Sequence, residues 1–478
     1  MGILVILTLF FASYCFTTSP ASWFDEGMYY QIAKNVATDG VWGIQLAPGN
    51  YKDISLISVG YSVFYPGILA FKIFGDSIAT LRLVAILFLL GCVLTFYALA
   101  RKLYGAPSAF WSTLFLITFS PLYGNGKNFL GEVPGLFYFF LGLLLLTSLP
   151  PLGKKRVWCA ILGGVILGLG ASAKSVYLLM VPAVGIAYLF RYLRKELPTR
   201  EERLTPLFVA LGMTGALLVF VFTQFGGPGG FSGVSTHYVN PYYVQDITSV
   251  VISNLKRFVT ESTPIHFLLL SVVSVWFFAG KLKKREPIAL AETAVVIFAL
   301  LITTSYLRTA GWYRYFFPAH AVLFLFLAPG LMAFGNRFNS HVGRFGRTLL
   351  IASFVLVVCI QLVPLKQETL RSCDSDAPTD VEPFMNALPK TSALFFYNLP
   401  QVAARYSGKN FYQYMKMSEA LVWGKENEAL LQKGAFDYLF VAHNISEEIG
   451  RIPACFHFEK SIHQVLVYKR TLALSCDI

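Results

Sequence analysis

The chain has 478 residues, of which 55% are hydrophobic, 16% aromatic and only 14% charged, against roughly 25% charged in a soluble globule. That composition excludes an ordinary water-soluble fold and puts the chain among membrane proteins. The net charge of +13 does not point to a nucleic-acid partner, because the 39 Lys and Arg are scattered between apolar blocks and form no single basic face.

The first apolar stretch, Ile3 to Thr17, lacks a basic n-region and a small-x-small cleavage site, so it reads as a retained signal anchor. Residues 21–76 follow as an outer loop with no run long enough to span a bilayer. Within it Met28, Ile32 and Val36, with Tyr29 and Ala33 beside them, repeat at helical spacing and predict an amphipathic helix on the membrane surface that ends near Gly40. Tyr61 to Phe74 predicts a second juxtamembrane helix, kinked or broken at Pro66-Gly67. Counting the anchor, about eleven spans are predicted, near residues 2–20, 77–100, 107–123, 132–149, 157–173, 175–191, 206–224, 264–280, 288–306, 315–334 and 348–365. Phe225 to Pro264 is a second long outer segment. Its opening run, Gly226 to Gly233, reads as a mobile lid, because a phosphate cradle needs a following helix and usually a lysine. After residue 390 short β-rich runs at 393–397, 436–441 and 465–468, with a helical stretch at 418–433, predict a small α/β domain. The chain thus divides into a transmembrane domain, 1–365, and a C-terminal α/β domain, 366–478.

Loops on one side carry seventeen basic residues in compact clusters such as Lys154-Lys155-Arg156 and Lys283-Lys284-Arg285, whereas the opposite loops hold nine spread over more sequence. The positive-inside rule makes the first side, with the N-terminus, cytoplasmic and the tail extracytoplasmic, most simply across a bacterial or archaeal plasma membrane. Cys15, Cys92, Cys159 and Cys359 fall in expected spans, and Cys373, Cys455 and Cys476 in the tail, where one disulfide would leave one thiol over. The cysteines and the seven histidines show no metal-ligand spacing. No cofactor is assigned, and a divalent cation is left open without a visible ligand cluster.

Acidic residues at the outer surface are few, which singles out Asp25-Glu26 after the first span and Glu132 at the mouth of the fourth. By spacing alone, Ser22 and Asp25 read as a capping box with Asp in place of Glu, and Glu132 beside Pro134 as a first-turn acid. Lys174, Arg308 and Arg314 are expected at the outer surface, where a cation is either an interfacial anchor or a partner for a lipid phosphate.

The run from Trp23 through Asp25-Glu26-Gly-Met-Tyr-Tyr to Val36 resembles the first outer loop of the GT-C membrane glycosyltransferases, especially the protein O-mannosyltransferase and lipid A aminoarabinose transferase families. So do Tyr65-Pro66 ahead of Phe74-Gly75, Glu132-Val-Pro134, Gly168-Leu-Gly-Ala-Ser-Ala-Lys174 and Arg314-Tyr-Phe-Phe-Pro318, which follow in order over about 365 residues. The resemblance implies a GT-C-like polytopic helical fold and an inverting transfer of a sugar from a polyprenyl-phosphate donor to a lipid, glycan or protein hydroxyl at the outer face. It implies Asp25 as catalytic base and Glu132 as a second acid, with Glu26 a further candidate. Arg314, Lys174 and Arg308 are then candidates for the donor phosphate, and Tyr29, Tyr61, Tyr65 and Tyr313 for the substrate cavity. Two features depart from these families. Phe64-Tyr65-Pro66-Gly67 stands where the aminoarabinose transferases carry Lys-Pro-Pro, and no outer loop is long enough for the β-trefoil of the protein O-mannosyltransferases, which lowers the weight of a protein acceptor. The alternative, a flippase or transporter of lipid-linked sugar, calls for charges at mid-membrane. The expected spans are almost free of them, Glu292 lying about one turn inside its own.

Overall fold

The computed structural model describes residues 1–151, 153–197, 199–240, 246–342, 344–370, 373, 376–418, 421–443, 452–471 and 476. Helix α1 (Gly2–Ser13) is shorter than the expected first span, because the chain turns at Tyr14 and passes through Cys15 at φ 47°. Helix α2 (Phe24–Asp39) ends on Gly40 at φ 73°, a left-handed stop that glycine adopts without steric cost. Its polar side does not face water as that of an amphipathic surface helix would. Its polar residues Gln31 and Asn35 are buried, Asn35 donating to the Gly43 carbonyl at 2.8 Å. A hairpin of β1 (Gly43–Ala47) and β2 (Asn50–Asp53), which periodicity did not reveal, follows.

Helix α3 (Tyr61–Phe74) runs through Pro66 without a break. Proline cannot donate to the carbonyl one turn back, which here belongs to Ser62. The Tyr138 hydroxyl donates to that carbonyl instead, at 3.1 Å. Helix α4 (Ile78–Ile117) has 40 residues, about 60 Å at the α-helical rise and so about twice a hydrocarbon core. Gly105 at φ 82° and Pro107 divide it into the two expected spans.

Then come α5 (Pro121–Gly126), α6 (Glu132–Thr147), α7 (Lys154–Ala173), a 3₁₀ turn (Ser175–Leu179), α8 (Met180–Leu193) and α9 (Arg200–Phe225). Helices α7 and α9 approach closely because Gly164 and Gly168 stand four apart. A Cβ at Gly168 would lie 2.6 Å from that of Ala216, as in small-residue packing between membrane helices. The glycine-rich run, expected as a lid, turns through Gly226 and Gly227 at positive φ and enters helix α10 (Pro228–Val239). The helical part closes with α11 (Ile247–Thr260), α12 (Ser262–Lys283), α13 (Leu290–Leu307), α14 (Tyr313–Val342), α15 (Arg344–Pro364) and a π turn (Leu365–Thr369). Each expected span falls on a helix. Among the described residues eight helices are long and apolar enough to cross a membrane, while α1, α3 and α6 are shorter apolar helices.

The C-terminal part contains α16 (Ala377–Ala387), β3 (Leu394–Tyr397), α17 (Pro400–Ala403), β4 (Phe411–Ser418), β5 (Leu421–Trp423), α18 (Glu426–Gln432), β6 (Tyr438–Ala442), β7 (Phe456–Ile462) and β8 (Val465–Arg470). Six strands make one sheet, β5-β4-β3-β6-β8-β7, with β3 parallel to β4 and β6 and the outer pairs antiparallel. The helix expected at 418–433 shrinks to α18, its first part being β5.

Two disulfides join Cys455 to Cys476 and Cys15 to Cys373. This corrects the expectation of one pair and a spare thiol: Cys15 lies beyond α1 and meets the tail. The sheet part is seated on α2 and the hairpin. Gln31 and Gln413 exchange side-chain hydrogen bonds at 3.2 and 2.9 Å, and Gln31 also donates to the Pro400 carbonyl at 3.0 Å. Asn427 donates to the Leu46 carbonyl at 2.9 Å. Gly27 is packed so tightly on the Pro400-Gln401 backbone that no side chain fits there.

Candidate functional site

Asp25 occupies the first turn of α2, whose N-cap is Trp23. The expected capping box does not form. The Ser22 backbone N–H is bound by the Asp376 carboxylate at 2.8 Å, and Asp25 pairs with Arg314 at the start of α14. The Arg314 guanidinium lies 5.7 Å from the Trp23 ring centroid and 5.1 Å from that of Tyr315, which holds its plane between two aromatic faces.

Glu132 opens α6 and pairs with Lys174, the residue between α7 and the 3₁₀ turn, both side chains being fully buried. Lys174 is held in place by main-chain bonding: Val59 and Lys174 form an isolated β-bridge, and the Ser175 N–H donates to the Ser58 carbonyl at 2.8 Å. The Tyr177 hydroxyl donates to the Glu132 backbone carbonyl. Lys174 Nζ stands 5.3 Å from the Tyr315 ring centroid, so one tyrosine separates the two ion pairs. Both Asp25 and Glu132 act electrostatically on Arg314, which makes the four charges one cluster.

Asp25 and Arg314 open into a cavity of about 400 Å³. Trp23, Tyr29, Ser58, His237, Trp312 and Tyr315 line it from the helical part, and Asn398, Lys416, Met417 and Leu421 from the sheet. Asn398 and Lys416 follow or end the parallel strands β3 and β4, the edge at which open α/β sheets place ligands. Burial, and after it the Asp25 charge, push the Tyr29 phenol well above its usual pKa and keep it protonated. Burial likewise lowers the His237 imidazole, leaving it neutral at pH 7. A second cavity of about 450 Å³, lined by Val176, Leu179, Leu301, Tyr306 and Arg308 among others, shares Tyr315 as a wall.

The structure therefore brings Asp25, Arg314, Glu132, Lys174 and Tyr29 together and sets Arg308 in the adjoining cavity. Four other candidates are located elsewhere. Glu26 is buried and accepts from Arg82 Nε and Nη2 at 2.9 and 2.6 Å and from the Phe129 N–H at 3.0 Å. That corrects its position: it is an internal ion-pair partner facing away from the cavity. Tyr61 donates to the Ala216 carbonyl at 3.0 Å and packs on Phe220 and Phe225. Tyr65 is 48% exposed on the outer side of α3. Tyr313 is turned into the helical core, its hydroxyl 3.0 Å from His320 Nδ1. None of these three tyrosines lines either cavity. The residues that sequence reading missed are Ser58, His237, Trp312, Tyr315, Asn398 and Lys416. Only Tyr315 carried a local signal, as the neighbour of Arg314 in the quoted motif. Among the described residues no group of three or more His, Cys, Asp or Glu side chains converges to hold a metal ion.

Residues 63–223 match the family model of dolichyl-phosphate-mannose-protein mannosyltransferases. No curated protein matches the chain. Among solved structures, ArnT from Cupriavidus metallidurans bound to undecaprenyl phosphate superposes with a TM-score of 0.65 at 13% identity, covering 99% of this chain and 98% of that one. The Archaeoglobus fulgidus oligosaccharyltransferase, in complex with zinc and sulfate, superposes at 0.62 with 11% identity over 98% of this chain and 72% of its own. The same archaeal enzyme with an inhibitory peptide and a dolichol-phosphate gives 0.59 at 12% identity over 93% and 69%. A multi-pass helical part with charged residues at its mouth, a sheet domain seated over that mouth, and these superpositions show that the chain has the fold of the GT-C membrane glycosyltransferases.

Proposed function

We propose that the protein is an inverting glycosyltransferase that moves a hexosyl or pentosyl unit from a polyprenyl-phosphate donor to an acceptor hydroxyl. The observation that carries this reading is the pairing of Asp25 with Arg314 at the wall of the cavity that helical part and sheet share. A carboxylate can take a hydroxyl proton and a guanidinium can hold a phosphate, and here each masks the other until substrates arrive. The donor phosphate draws Arg314 away, with Lys174 and Arg308 on the two sides of Tyr315 adding positive charge. Asp25, released, accepts the proton of the acceptor hydroxyl as that oxygen attacks the anomeric carbon. The bond from that carbon to the phosphate oxygen breaks, and polyprenyl phosphate leaves with the electron pair.

The leucines and valine around Arg308 suit the first isoprene units, and the polyprenyl and dolichyl phosphates bound by the two similar structures support a carrier of this class. In this reading residues 1–365 form the catalytic transmembrane domain and 366–478 an extracytoplasmic domain whose Asn398 and Lys416 face a lipid, glycan or protein acceptor. Two disulfides and the clustering of Lys and Arg at the opposite helix ends support an outward-facing cavity and a cytoplasmic N-terminus.

The test is Asp25→Asn, which keeps the side-chain size and removes the proton-accepting oxygen. Transfer in membranes supplied with donor and acceptor falls by about 10²- to 10⁴-fold, while thermal stability and yield stay near those of the parent. Activity at the parental level would remove Asp25 from the mechanism.

A further inference from the structure

At the end of the helical bundle away from Asp25 is a second polar cavity, of about 170 Å³. Glu132 and Thr147 are the first and last residues of α6, and Lys174 and Arg156 stand near opposite ends of α7. At about 1.5 Å per residue, the two regions are therefore separated by roughly 22 to 27 Å. The volume is that of about five or six waters at about 30 Å³ each, which fits the five heavy atoms of a phosphate. Its polar wall is made by Thr147, Arg156, Tyr188, Arg191, Glu202 and Thr205, at the ends of α6, α7, α8 and α9, and Leu290 adds the start of α13.

Arg156 gives Nε to Thr205 Oγ1 at 3.0 Å and Nη1 to the Pro150 and Pro151 carbonyls at 3.0 and 3.1 Å, so none of these contacts uses Nη2. Among the described residues the Arg191 side chain has only long contacts, both of 3.4 Å, to the Glu196 carboxylate as an ion pair and to the Glu196 carbonyl. Glu202 is occupied by its capping box, taking the Thr199 N–H and hydroxyl at 3.1 and 2.9 Å. Tyr188 is 7% exposed and its hydroxyl makes no hydrogen bond among the described residues, although both guanidinium groups are near enough to act on it. A buried hydroxyl without a partner costs about 1 to 3 kcal/mol, and this one lies beside two cations at a helix boundary. Basic residues at such a boundary are ordinarily anchors in the headgroup layer. An anchor does not require a buried donor aimed at the same space.

We infer that this cavity is an anion site that takes a phosphoryl group, held between Arg156 and Arg191 with the Tyr188 hydroxyl as third donor. The group comes either from a lipid headgroup or from free phosphate. Leu189 and Leu193 on α8 and Leu204 and Leu207 on α9, the helices that carry the polar wall, are exposed and suit acyl chains. The inference does not depend on the transferase reading.

The test uses the purified full chain in a neutral detergent. Native mass spectrometry measures binding of the first dioleoylphosphatidylglycerol against dioleoylglycerol, which has the same chains and no phosphate, and thermal shift measures inorganic phosphate. The phospholipid binds about tenfold or more tightly than the diacylglycerol. Arg191→Gln weakens it by about 10- to 100-fold and Tyr188→Phe, which removes one oxygen from an intact ring, by about 2- to 10-fold. Stabilisation by inorganic phosphate that both variants lose assigns the site to free phosphate, and binding confined to the lipid assigns it to the headgroup. Equal binding of the two lipids with no phosphate shift overturns the site, as does unchanged binding in both variants.

Discussion

A helix turns by about 100° per residue, so Asp25 and Glu26 leave α2 on different faces. Adjacent carboxylates accordingly enter different environments. Glu26 meets Arg82 in a buried bidentate pair that also reaches the Phe16 and Pro20 carbonyls at 2.8 and 3.0 Å, whereas Asp25 meets Arg314 at a cavity wall. The pair Asp25-Glu26 was legible as a candidate feature, but the separation of its two environments was not, because it depends on Arg82, 56 positions away. Arg314 is the residue at which donor binding is best probed. Arg314→Lys loses the planar fork between Trp23 and Tyr315, and Arg314→Ala loses the charge as well. Donor kcat/KM falls by about 10- to 100-fold in the alanine variant and by less in the lysine variant, with acceptor saturation little changed. Steady-state kinetics with each substrate varied in turn checks this, and normal donor kinetics in Arg314→Ala would return the residue to an anchor role.

At the scale of elements, apolar runs predicted the helices well because each spanning helix must satisfy its own backbone and bury or immerse its sides. Breaks were harder to read. Pro66-Gly67 read as a kink or break, yet α3 continues unbroken, with a hydroxyl from α6 serving the orphaned Ser62 carbonyl. Tyr138→Phe therefore removes about 1 to 3 kcal/mol of stability, seen as a lower melting temperature of purified protein. An unchanged melting temperature would show that water replaces the hydroxyl. The hairpin β1-β2 and strands β4 and β7 were missed because their residues are chosen for partners elsewhere. Gln45 donates to the Lys409 and Phe411 carbonyls and Gln413 answers Gln31, contacts that no local window contains.

At the scale of the whole molecule, the motif order along the first 365 residues carried the fold, and the sheet's share of the cavity wall escaped because Asn398, Lys416, Met417 and Leu421 lie beyond it. The same arrangement makes the topology testable. Lys390 is exposed on the sheet part, so Lys390→Cys in intact cells reacts with a maleimide that cannot cross membranes, above the signal of the unsubstituted chain. Reaction only after the cells are opened would reverse the orientation.

The seating of the sheet part on α2 also orders events in time. The ribosome makes α2 early, but the groups that hold it, Asp376, Pro400 and Gln413, and the Cys373 that bonds Cys15, are made after every membrane helix has been threaded. A chain still under synthesis thus has its cations and carboxylates in the bilayer but lacks the far wall against which an acceptor is presented. On the proposed reading, maturation of the tail is the moment at which the reaction centre comes into being, and a nascent or truncated chain is inactive however well its helices insert.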